Sequence, residues 1–133
     1  MAWEINEQEF ESVLALAAPR RYEYFIKRAA SGGELWGLHG EDGWDIAVDD
    51  AGNQHIPVWP HPRFAEACAK GPWQDARAQP IDIDKWVEAW TPKILQDNLR
   101  LGVFQTPSDQ GISVSPERLK HDLEAELSLF NLD

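Results

Sequence analysis

The spacing of the apolar residues changes once along this chain, at Ser31-Gly32-Gly33, and that change constrains the fold more than any other feature. Before it, Phe10, Val13, Leu14 and Ala17 recur at i, i+3, i+4 and i+7, and Tyr22, Phe25, Ile26 and Ala29 repeat the pattern. Each set lies on one face of a helix. Asn6 with Glu9 is a capping signature, and Pro19 interrupts and restarts the helix, since a missing N–H is harmless in the first turn. The glycines then supply the left-handed backbone on which helices often end. After them the period is two. Trp36 and Leu38, then Trp44, Ile46 and Val48, alternate with small or polar residues, and a third strand is expected near His55–Trp59. Turns at Glu41-Asp42-Gly43 and Asp50-Ala51-Gly52-Asn53 would join the three into an antiparallel meander, with Pro57 at an edge or a non-bonded position.

Further along, a short helix is expected over Arg63–Lys70, closed by Gly71-Pro72. Trp73–Ile83 reads as irregular, with Pro80–Ile83 extended. Asp84 is expected to cap a helix carrying Trp86, Val87 and Trp90, which Thr91-Pro92 restarts as Lys93–Leu99. Leu101–Gln105 and Ile112–Val114 read as a late hairpin, and Ser115-Pro116-Glu117 opens a last helix with Leu119, Leu123 and Leu127 on one face. Helices and hairpins segregate rather than alternate, so the expected class is α+β. A chain of 133 residues makes one domain over 1–133, an antiparallel β-meander packed against N-terminal and C-terminal helices.

The formal charge of −11 argues against nucleic acid and anionic lipid, both of which require a basic face. No apolar run approaches the roughly 18 residues of a membrane helix, and the opening residues lack the character of a signal peptide, so a cytoplasmic protein is expected. Cys68, the one cysteine, excludes an internal disulfide. The charge is unevenly placed. Between Ala29 and Pro62 stand six acids and no Lys or Arg. Arg20, Arg21, Lys27 and Arg28 form a basic stretch expected on the outer face of the second helix.

Chemical motifs are scarce. There is no phosphate-binding loop and no G-x-S-x-G elbow. His39, His55 and His61 lack metal-ligand spacing and read as strand and loop histidines. The neighbours of Cys68 are small or acidic, which suits a packed thiol rather than an activated thiolate. No catalytic residue, cofactor or metal is therefore assigned. The expected role is a non-enzymatic protein-binding or adaptor module, with an immunity- or antitoxin-like protein as one concrete version. Glu41, Asp42, Asp45, Asp49 and Asp50 would present an acidic face to a basic protein, with the loop residues Trp59, His61 and Trp73 at its margin. Trp36, Trp44, Trp86 and Trp90 read as core. The alternatives are a small-ligand binder or enzyme with a cleft near Trp59, His61 and Cys68, and a structural homodimer.

Leu35-Trp36-Gly37-Leu38, Gly43-Trp44, Asp49-Asp50-Ala51-Gly52 and Trp86 to Trp90 stand in a fixed order around Ile56-Pro57-Val58-Trp59-Pro60-His61-Pro62 with Phe64-Ala65. In this layout the chain resembles a bacterial family known as domain of unknown function 2750, from about Glu9 to Leu127. The resemblance implies a small cytoplasmic α+β protein and brings no activity or catalytic residue with it. Phe104 is followed by Gln105-Thr106-Pro107, where that family's pattern would have proline directly after the Val-Phe pair.

Overall fold

A computed structural model describes residues 4–41 and 43–129. Helix α1 (Glu7–Leu14) begins as its sequence requires, with the Asn6 side chain accepting from the Glu9 N–H at 2.7 Å. Helix α2 (Ala18–Gly32) has Pro19 in its first turn and ends on Gly33, whose φ of 76° places it in the left-handed region. Phe25, Ile26, Ala29 and Ala30 bury the inner face of α2 against β1 (Glu34–Gly40) and the last helix, α6 (Pro116–Ser128). Leu119 and Leu123 of α6 complete that contact.

Arg21 departs from the expected outer position. It is only 1% exposed, because its guanidinium turns inward and makes four hydrogen bonds there. Nε donates to the Phe104 carbonyl at 3.0 Å and Nη1 to the Leu16 carbonyl at 2.6 Å. Nη2 donates to the Asp109 carboxylate at 2.9 Å and to the Gln110 carbonyl at 3.1 Å. Of the other three bases, Arg20 and Lys27 are exposed, and Arg28 pairs with Glu9 at 3.0 Å.

The α+β class holds, and the strands divide between two sheets. The first has the order β2-β1-β5, with β2 at Gly43–Trp44 and β5 at Arg77–Asp82. The second has the order β3-β4-β6-β7, formed by Ala47–Val48, Gln54–Val58, Arg100–Val103 and Ile112–Val114. The segment expected to be one strand from Trp44 to Val48 breaks at Asp45 and Ile46: its first part pairs with β1 and its second with β4. A strand that changes sheets in this way turns a corner. Trp36 and Trp59 close the corner by exchanging both backbone hydrogen bonds at 2.8 Å. The residues read as irregular before Pro80 join β5, which pairs with β1 in antiparallel register from Glu34↔Asp82 to His39↔Arg77. β4 and β6 run parallel, a pairing that local pattern does not announce.

Between them the chain passes through α3 (Pro62–Ala67) and a continuous helical run: α4 (Ile83–Lys85), a π turn (Trp86–Trp90) and α5 (Thr91–Gln96). Asp82, not Asp84, caps this run, accepting from the Asp84 N–H at 2.9 Å. Thr91 does not restart the helix either. Its hydroxyl and its N–H both bond the Trp86 carbonyl, so the helix widens by one residue and absorbs Pro92 without breaking.

Replacing Arg21 by Ala strips donors from three carbonyls and the partner from a carboxylate, and should lower unfolding free energy by about 3–5 kcal/mol. Asp109 is 57% exposed, and losing it should cost about 1 kcal/mol or less. Urea denaturation of the two variants checks the difference, and equal losses would contradict this account of the anchor.

Candidate functional site

Alternation in the second sheet sends Ile56, Val58, Leu101, Val103 and Val114 into the core. The opposite face carries Ala47 beside His55 and Gly102 beside Ser113. Residues 105–111 leave β6 and fold back along this face. Phe104 starts the excursion with φ 61°, unusual for a bulky residue, and its carbonyl is the one held by Arg21 Nε. Gly111 ends it with no space for a side chain, since a Cβ there would lie 2.2 Å from the Val103 carbonyl oxygen.

Two grooves flank this loop. A polar one of about 400 Å³ lies over the sheet face, lined by Asp49, His55, Ser113 and the 105–111 loop. A more apolar one of about 480 Å³ runs between Ile46–Val48 and the wall formed by Cys68, Lys70, Pro72 and Trp73. They share Ala47, Val48, Gln105, Thr106 and Pro107, so they form two lobes of one trough.

The expected site residues divide between surface and interior. Glu41 and Asp50 are exposed in their turns, and Asp42 lies outside the described residues. Asp49 organises its own turn, accepting from the N–H groups of Ala51 and Asn53 at 3.0 and 2.8 Å. Those bonds, the Asn53 one above all, hold its carboxyl below the usual carboxylate range. Asp45 is half-buried at the corner, and partial desolvation pushes its carboxyl up. Its Oδ2 has no hydrogen-bond partner among the described residues.

Trp73 is half-buried and walls the apolar lobe. Trp59 and His61 do not stand at a loop margin. Trp59 is fully buried, its Nε1–H donating to the Gln105 carbonyl at 2.8 Å, because its backbone joins the two sheets. His61 is buried as the N-cap of α3, its Nδ1 accepting from the Arg63 N–H at 3.1 Å. A cleft does open beside Cys68, but Trp59 and His61 do not line it. Trp36, Trp44 and Trp90 are half-buried and Trp86 fully buried, with Trp90 stacked on Trp86 and edge-on to Trp44.

A family model described as "Protein of unknown function (DUF2750)" matches residues 22–123. The chain belongs to this family. The matched span of this DUF2750 chain runs from α2 into α6, so both sheets and both lobes of the trough lie inside the shared domain. No curated protein and no solved structure matches the chain. Among the described residues no helix is long and apolar enough to cross a membrane, and no group of three His, Cys, Asp or Glu side chains could hold a metal ion.

Sequence reasoning missed a cluster in the polar lobe of the DUF2750 domain. His55 Nε2 lies 2.7 Å from Ser113 Oγ, and Arg100 Nε donates to that same oxygen at 2.8 Å. Alternation does place Ser113 outward, but its neighbours come from the parallel β4–β6 pair and the β6–β7 register, which no local signal reveals. Cys68, by contrast, matches its sequence reading. Its Sγ donates to the Gln105 carbonyl at 3.4 Å, and burial pushes the thiol up to about 11. The neutral thiol therefore prevails until the pH approaches that value. Iodoacetamide at pH 8 should alkylate Cys68 at least about tenfold more slowly than free cysteine. A mass-spectrometric time course in native buffer measures it, and denaturation should abolish the protection.

Proposed function

We propose that this DUF2750 chain is a protein-binding module that receives a basic partner on its acidic corner. One observation carries the reading. The corner between β2 and β3 leaves Ile46 and Val48 41% and 62% exposed, within a stretch that holds six acids and no Lys or Arg. Apolar side chains in such a setting suit a partner that brings both a hydrophobic anchor and positive charge. The apolar lobe beside them, walled by Trp73 and Pro72, has the volume for one such anchor. Glu41 and Asp50 supply the long-range attraction, while Asp49 keeps the turn in shape. An immunity- or antitoxin-like protein that caps a basic toxin is one concrete version.

The test is a pull-down with the full chain, its Glu41→Lys/Asp50→Lys variant and its Val48→Ser variant. A basic protein captured at low salt should be released at high salt, because screening weakens exposed charge contacts. The charge variant should bind it at least about tenfold more weakly, and Val48→Ser should weaken it without changing its salt dependence. Binding that neither variant alters would overturn the reading.

A further inference from the structure

We infer that Ser113 is an activated nucleophile, with His55 as its base, in a site for acyl transfer from a small ester on the outer face of the second sheet. This inference is argued separately from the partner-binding reading, and the residues it names for the reaction, Ser113, His55 and Arg100, play no part there. It follows from the directions in which the hydrogen bonds must run. A guanidinium N–H can only donate, so the 2.8 Å contact from Arg100 Nε makes Ser113 Oγ an acceptor. On the other side of the ring, His55 Nδ1 lies 3.2 Å from the Asn53 carbonyl, which can only accept. In the neutral imidazole the proton is thus on Nδ1, and Nε2 is left to accept. Among the described residues the Ser113 hydroxyl meets it, at 2.7 Å.

The result is a serine whose proton points at a base, whose oxygen lies beside a fixed positive charge, and whose base is oriented from behind. A backbone carbonyl stands where a carboxylate more often does. Ser113 is exposed and His55 is buried, an arrangement in which substrate reaches the oxygen while the base stays fixed.

The groove sets the substrate class. At about 400 Å³ it accepts a small molecule, and its lining carries Asp49 and Asp109 but no Lys or Arg. Arg100 stands beside Ser113 Oγ while Asp49 and Asp109 line the groove, so a neutral ester fits better than a charged one. In the reaction Oγ bonds to the carbonyl carbon as its proton passes to His55 Nε2. The ester C–O bond then breaks, and the leaving alkoxide takes that proton. Water, deprotonated by the same nitrogen, releases the acid and restores Ser113.

A neutral fluorophosphonate tests the site without knowledge of the natural substrate. Oγ bonds to phosphorus, fluoride leaves, and the hydroxyl proton goes to His55. Intact mass and peptide mapping of the full chain should show one adduct, on Ser113. Ser113→Ala should take up none, and His55→Gln should react at least about 100-fold more slowly. An unlabelled wild-type chain, an adduct on another residue, or an undiminished rate in His55→Gln would overturn the inference. If His55→Gln fails to fold, Ser113→Cys tests the same pairing with His55 in place. The introduced thiol should be alkylated by iodoacetamide at pH 7 faster than free cysteine, and a rate at or below that of free cysteine would overturn it.

Discussion

The architecture hangs on the burial of one charge. Taking a guanidinium out of water is costly unless each of its faces finds a partner, and Arg21 meets that condition with acceptors from three separate parts of the chain. The Leu16 carbonyl comes from the short link between α1 and α2, the Phe104 carbonyl from the end of β6, and Asp109 and Gln110 from the loop that follows. The three carbonyls among these acceptors would otherwise be main-chain groups in irregular segments, with no ladder to join. The arginine replaces the missing secondary structure. It also holds Phe104 in a left-handed conformation that a bulky side chain seldom adopts.

A second constraint operates where the sheets meet. Trp59 is both a backbone partner of Trp36 and the donor to the Gln105 carbonyl. Cys68 donates to that same oxygen, so a single carbonyl gathers the sheet junction, α3 and the late loop. Its position explains why a proline-bounded aromatic that looks like a recognition residue lies fully inside.

The parts of the fold legible in the sequence were those with local causes. The Asn6 cap, Pro19 in the first turn of α2, Gly33 at its end, the Ser115 cap of α6 and the late hairpin each depend on neighbours a few residues away. What escaped depended on distant partners. The inward turn of Arg21 depends on carbonyls more than eighty residues along the chain. The break at Asp45–Ile46 depends on β4, and the extension of β5 on the whole length of β1. The candidate site follows the same rule. The acidic turns were readable because charge composition is local. The His55–Ser113 contact was not, because it spans 58 residues through a parallel strand pair.

Because Gln105, Thr106 and Pro107 wall both lobes of the trough, the two lobes are not independent compartments. A molecule that shifted this wall from one side would change the shape offered on the other. Thermodynamic linkage makes the effect mutual: whatever factor one occupant imposes on the affinity for the second, the second imposes on the first. Arg21 holds the chain on either side of this wall, at Phe104 and Asp109, and Trp59 and Cys68 hold its Gln105 carbonyl, so the stiffness that would set such a coupling is shared among these contacts.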